Sequence, residues 1–181
     1  TNQWPKFEEY DDHLYIVLKC LLSDGEHFSV NNEQVSLLVL KNFVIMFKEK
    51  KDELFLPLQQ RIRTSSGKFR GLGSDYLAYA ILDFIVDQNF ILLDLLDESI
   101  TSLEDRLLTG EPTQDMLYKI QRLKREMISI RRYVSPVREL LAGMLRSENE
   151  LIHENTHIFL RDVSDHAIRV IESIESYRDI L

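Results

Sequence analysis

A single cysteine, Cys20, stands in 181 residues, so no disulfide can form within the chain, and a reducing, cytosolic setting fits it better than a secreted one. Its apolar neighbours make it a core thiol. Positive charge is also scarce: 22 Lys and Arg stand against 30 Asp and Glu, a net charge of -8. That balance argues against non-specific nucleic-acid binding and suits a cationic partner, a metal ion included. No run approaches the ~18 consecutive apolar residues that mark a membrane-crossing helix, so no span is expected within these residues. A Gly-rich phosphate loop, a nucleophile elbow and a Cys-rich metal cluster are all missing. What remains is an ordinary globular composition, 44% hydrophobic, enough for one substantial domain or two small ones.

The first 73 residues predict a small antiparallel sheet with a covering helix. TNQWPKFEEYDD reads as an extended entry, because Trp4-Pro5 and the charges that follow suit no regular element. His13 to Leu22 is β-branched and apolar enough for a strand, and Asp24-Gly25 supplies a turn. Val35 to Leu40 and Phe43 to Lys48 form two further strands, joined through Lys41-Asn42, a two-residue hairpin connection. Glu53 to Arg63 reads as the covering helix, with Pro57 near its first turn where a missing N–H is tolerated. Thr64 to Gly73, rich in Gly and Ser, marks a boundary.

From residue 74 to 181 the chain predicts three long helices in an extended antiparallel bundle, so the fold class is α+β. Ser74 is placed as N-cap of a helix reaching about Leu108, with Asp75 in its first turn. Residues 109–113 break it, and a second helix runs from about Gln114 to Arg146, with a kink expected at Pro136. At 1.5 Å per residue each would be about 50 Å long. The first is acidic and the second basic, so the two are expected to pair. In the third, Phe159, Val163, His166, Val170, Ile174, Tyr177 and Leu181 recur at steps of four and three, an apolar packing seam. No Gly or Asn cap follows Leu181, which falls in phase with that seam, so the helix is expected to continue in a longer protein. Thr1, without an initiator Met, is expected to be a cut as well.

Two constellations could carry chemistry. His153-Glu154-Asn155-Thr156-His157 matches HExxH, which in zinc metalloproteases sets two His on one helix face with Glu as general base. Asn155-Thr156 is a poor helix interior and resembles a helix start, which favours an accidental match or an adventitious surface metal. The second constellation is acidic. Asp83 and Asp87 lie i, i+4 on the first long helix, and Asp162 and Asp165 lie i, i+3 on the last. Carboxylates and water suit Mg²⁺, although spacing alone favours solvated aspartates.

The runs YLAYAILDFIVDQNF (residues 76–90), LEDRLL (103–108), LKREMISIRRYVSPVRELLAGMLR (123–146) and FLRDVSDHAIRVIESIESYRDIL (159–181) together resemble the cytosolic part of CorA-type divalent metal ion transporters. EQVSLLVLKNFVIMFKEK (33–50) is similar to that family's strand region. The resemblance implies a homopentamer of the bacterial or archaeal inner membrane, with this part on the cytoplasmic side and the last helix leading into membrane spans that these residues do not contain. It implies a non-enzymatic regulatory domain in which Mg²⁺ between subunits holds the pore closed, with Co²⁺ or Ni²⁺ also carried. Asp162, in the segment RDVSDH, and Asp83 correspond to the family's metal-binding acids, with Asp87 and Asp165 as weaker candidates. Ser164 and Val134-Ser135-Pro136 depart from the common pattern and leave open a zinc-handling, ZntB-like member. A plain helical interaction module is the reading without metal.

Overall fold

The computed structural model describes residues 3–23, 28–50, 53–64, 68–110 and 113–181. The Asp24-Gly25 turn, the middle of the 64–73 connection and Glu111-Pro112 lie outside them. Four strands, β1 (Lys6–Glu9), β2 (Leu14–Ser23), β3 (Val30–Val39) and β4 (Val44–Lys48), form one antiparallel sheet in chain order. Five helices follow: α1 (Leu56–Thr64), α2 (Lys68–Gly71), α3 (Ser74–Thr109), α4 (Gln114–Arg146) and α5 (Glu154–Ile180). This is the α+β architecture expected, with two strand corrections. The entry segment pairs as β1, Phe7 opposite Ile16, because ladder hydrogen bonds to β2 outweigh its poor strand propensity. β3 starts at Val30, five residues early, since Asn31 to Gln34 pair in register with Lys19 to Leu22.

Alternation sorts the sheet into two faces. Leu14, Ile16, Leu18, Val35, Leu37 and Val39 are buried against the helices, joined by Phe7, Val44 and Met46. The turn between β3 and β4 closes with Leu40 N–H donating to the Phe43 carbonyl at 2.9 Å. Phe55 and Leu58, before and within α1, enter the same core, but most of the cover comes from α3 and α4 packing on β1 to β3. Gly143 of α4 lies so close to the sheet that a Cβ there would meet Phe7 Cδ1 at 3.1 Å.

The helices differ from expectation in how they pair. α5 packs extensively against both α3 and α4, lying between the two helices whose charges were expected to match. Arg106 does reach Asp115 at 3.8 Å near the α3–α4 connection, but farther along Arg131 of α4 pairs with Glu175 of α5 at 3.0 Å. α5 runs parallel to α3: Thr156 meets Asp75, Phe159 meets Tyr76 and Tyr79, and His166 meets Asp87 and Phe90. A helix held on two flanks buries a wider arc than a two-helix seam. Its buried residues are Thr156, Leu160, Val163, Ala167, Val170, Ile171 and Ile174, so Phe159, His166 and Tyr177 sit on the edge facing α3 instead of at the seam's centre.

Two local expectations also shift. Gly73 occupies the N-cap of α3, and the Ser74 hydroxyl donates instead to the Lys41 carbonyl at 3.3 Å, tying the helix start to the β3–β4 turn. α4 runs undivided through Pro136, with Val134 and Val137 buried on either side. By length and composition α3 could cross a bilayer, with a mean hydropathy of 1.4 over its most apolar window, yet 56% of that window is buried inside the fold. A core helix passes the same test.

Candidate metal centre

The edge of α5 that faces α3 meets an acidic stretch. Asp83 and Asp87, one turn apart on α3, both point toward His166 of α5, and one ligand atom from each of the three lies within 4.8 Å of the others. His166 Nδ1 is 3.3 Å from Asp87 Oδ1 and 3.9 Å from Asp83 Oδ1. The Tyr79 hydroxyl, one turn earlier on α3, donates to the other Asp83 oxygen, Oδ2, at 3.5 Å. Phe90 stands edge-on to the imidazole, ring centroids 5.8 Å apart. Beside the cluster a cavity of about 160 Å³ opens between α1 and α3, lined by Pro57, Arg61 and Phe84 together with the two aspartates. At about 30 Å³ per water it has room for part of a hydration shell.

Electrostatics favour a cation here. Burial and the Asp87 carboxylate raise the Asp83 carboxyl above its ordinary range, against the opposing pull of His166, Tyr79 and Arg61. The Asp83 side chain is only 20% exposed. Two carboxylates this close repel by roughly 2–3 kcal/mol at an effective dielectric constant of 20 to 40, and one hydrogen bond from an imidazole does not offset that. Burial first, and Asp83 second, push the Tyr79 hydroxyl up to about 12, so it stays a donor and orients the carboxylate. A divalent cation would convert the repulsion into coordination.

The other sequence candidates are placed apart from this group. Asp162 and Asp165 are exposed on α5; Asp162 lies four residues before His166 and so on the same side of the helix, but it is not among the converging ligands. The HExxH residues do not converge. His153 is the extended cap residue before α5, with φ -78 and ψ 146, and its ring lies 3.0 Å from Asp75. His157 is a turn inside the helix. Among the described residues the three-ligand group is Asp83, Asp87 and His166. Sequence reading weighs His166 as a third ligand for the HExxH pair and sets it on the seam, whose phase it fits, without joining it to the aspartates; the available signal was a polar residue in an apolar row, opposite an i, i+4 aspartate pair.

Sequence reading also missed a second joint between these helices. Asp75, in the first turn of α3, is 2% exposed. Its Oδ2 accepts from Thr156 Oγ1 at 2.6 Å and from the His153 backbone N–H at 2.9 Å, with His153 Nδ1 at 3.0 Å. Burial pushes its carboxyl up, but these hydrogen bonds outweigh burial and hold it below the ordinary range. A side chain at Gly73 would crowd this joint, its Cβ 2.6 Å from Asp75 Oδ1.

An antiparallel sheet carried on three long helices, with a carboxylate–imidazole cluster between the two parallel ones, defines an α+β domain with a candidate cation site. The chain belongs to the CorA-like Mg²⁺ transporter protein family, whose sequence model matches residues 1–181. It is 37% identical over 181 residues to the cobalt/magnesium transport protein CorA of Thermotoga maritima, covering 100% of this chain and 51% of that protein. The chain therefore spans about half the length of that relative. The soluble domain of CorA from Methanocaldococcus jannaschii has the same fold, with a TM-score of 0.84 at 21% identity over 99% of this chain and 70% of that one. The ZntB cytoplasmic domain from Vibrio parahaemolyticus aligns with a TM-score of 0.79 at 18% identity, over 99% of this chain and 69% of that one.

Proposed function

We propose that these residues form the cytosolic ion-sensing domain of a CorA-type divalent cation transporter of the cell membrane. In this reading residues 1–73 form a partial α/β domain and residues 74–181 a stalk whose last helix leads toward the membrane. The full protein is a homopentamer without enzymatic activity. Mg²⁺ bound between subunits through Asp162 of one and Asp83 of its neighbour favours the closed ring; its loss lets the acidic interfaces repel and the pore open. The observation that carries the reading is the family match over the whole chain, joined to a half-buried aspartate pair whose charge calls for a counter-cation. Exposed Asp162 remains free to face a neighbour.

The test is limited proteolysis of the full-length protein across a Mg²⁺ titration. Asp162→Ala and Asp83→Ala should each move protection to higher Mg²⁺, and unchanged protection in both would sink the assignment. The second reading, a ZntB-like zinc handler, draws on the imidazole among the ligands. Flux assays comparing Zn²⁺ with Mg²⁺ and Co²⁺ separate the two.

A further inference from the structure

We propose that the outer edge of α3 docks on the outer edge of α4 in a second copy of this chain, with Ile91, Asp94 and Glu98 of one subunit meeting Arg125, Ile128 and Arg132 of the next. The inference rests on the ring assembly proposed above and names a pair of surfaces that closes it.

The charges of the two long helices start the argument. α3 is acidic and α4 basic, yet within one subunit α5 packs against both and leaves most of that complement unspent. Arg106 reaches Asp115 near the α3–α4 connection, and Arg131 turns to Glu175 of α5. Asp94, Glu98, Arg125 and Arg132 are all exposed. Among the described residues none of the four has an ion-pair partner.

The two rows share one spacing. Ile91, Asp94 and Glu98 fall at i, i+3 and i+7 on α3, and Arg125, Ile128 and Arg132 do the same on α4, so each trio lies along one helix face. Both faces turn away from α5. Asp97, the neighbour of Glu98, hydrogen-bonds Tyr177 of α5, Arg131, the neighbour of Arg132, holds Glu175, and one residue turns a helix by about 100°. Each row also leaves an isoleucine in water, Ile91 54% and Ile128 61% exposed. A single exposed isoleucine means little; two at one height, each beside charges that suit the other row, form a complementary pair.

The hairpin sets that height. Counted back along both helices from the Arg106–Asp115 contact, residues 91–98 stand level with residues 123–130, within about 3 Å of the α4 row at 1.5 Å per residue. Glu98 then falls near the level of Arg125, with Asp94 and Ile91 on either side of Ile128. Copies related by rotation about an axis along the helices keep these levels, so the α3 edge of one meets the α4 edge of the next in register. Such a heterologous contact repeats and closes a ring, whereas a two-fold contact would set acid on acid. The arginines are already oriented: the Arg132 guanidinium lies over Trp4, 4.7 Å from its ring centroid, and Arg125 Nε donates to the Gln121 carbonyl at 3.3 Å. Orientation before contact lowers the entropy lost on docking.

The test is disulfide trapping in the full-length protein, co-expressing an Ile91→Cys chain with an Ile128→Cys chain. Cys20, the one cysteine of these residues, is buried and stays out of the reaction. Oxidation should link the two kinds of chain to each other at least about tenfold more than either to itself. Arg125→Glu with Arg132→Glu in the Ile128→Cys chain should lower that yield about tenfold at low salt, and Asp94→Lys with Glu98→Lys in the Ile91→Cys chain should restore it. Restoration distinguishes a lost contact from a misfolded chain. Links confined to like chains, or a yield indifferent to both reversals, would overturn the proposal. Native mass on the same samples separates it from the assembly: a pentamer without mixed links removes this interface and leaves the ring reading standing. Charge-dependent mixed links in a complex of another size keep this interface and remove the pentamer.

Discussion

Helices α3 and α5 meet through aspartate and histidine twice, eight residues or about 12 Å apart along α3, and the two meetings solve opposite problems. At Asp75 the carboxylate is buried and held through one oxygen: a hydroxyl, a backbone N–H and an imidazole converge on Oδ2, while Oδ1 has no hydrogen-bond partner among the described residues. At Asp83 a second carboxylate stands one turn away, and the donors on hand are a phenol at 3.5 Å and a single imidazole shared with Asp87. The two carboxyls move in opposite directions accordingly, Asp75 downward and Asp83 upward. The same residue types across the same helix pair thus give a structural joint where three donors converge on one carboxylate, and a candidate cation site where two carboxylates share two donors.

Asp75→Ala gives the largest expected effect. It strips partners from the Thr156 hydroxyl and the His153 N–H at the start of α5, and should cost about 3 kcal/mol, read as a lower urea midpoint at unchanged slope. Metal affinity at Asp83 should be unaffected in the remaining folded protein. An Asp75→Ala protein as stable as the parent would erase the distinction between the two sites.

The pH dependence comes next, and its sign separates the sites. A carboxyl held low in the fold contributes stability above its unfolded pKa and loses it as pH falls through the lower folded value. For Asp75, then, the gap between the parent and Asp75→Asn should persist through the ordinary carboxyl range and close only below it. A carboxyl held high binds protons more readily in the folded state, so its destabilisation is present at neutral pH and is relieved as pH falls through the raised value. The metal-free parent should therefore gain on Asp83→Asn during mild acidification, whereas it should lose on Asp75→Asn only in stronger acid.

At neutral pH without metal, Asp83→Asn should be neutral or stabilise by up to about 1 kcal/mol, since it removes a like charge from beside Asp87. The same substitution should abolish the rise in melting temperature that a divalent cation gives the parent. Smallest of all is Glu175→Gln on the other flank of α5. Its pair with Arg131 joins side chains 42% and 45% exposed, so the loss should not exceed about 0.5 kcal/mol. A larger loss would mean that α5 is held more by its α4 flank than the two aspartate joints imply.

Much of this comparison was legible in part. The long helices followed from apolar periodicity, and the bounds of α4, Gln114–Arg146, agree with the sequence reading. The aspartates were visible as an i, i+4 pair. Their partner was not, because a histidine at a seam position has the same spacing whether it faces a core or the flank of a third helix. Only the three-helix packing, with α5 between α3 and α4, rotates His166 out of the core and against Asp87. Asp75 was legible as a helix-start acid favoured by the backbone dipole; that it also secures the start of α5 depends on residues 78 and 81 positions away. β1 was missed for a related reason, since its pairing with β2 is a property of the neighbour and not of its own composition.

The central claim is that the Asp83 cluster takes a divalent cation and the Asp75 joint does not. Paramagnetic broadening of amide signals by substoichiometric Mn²⁺ tests it most directly, because Mn²⁺ accepts the oxygen ligands that suit Mg²⁺. Loss of signal should be steepest at residues 83, 87 and 166 and weaker at 75, 153 and 156, about 12 Å away along α3. Broadening centred on residues 153–157, or spread evenly over the acidic surface, would contradict it.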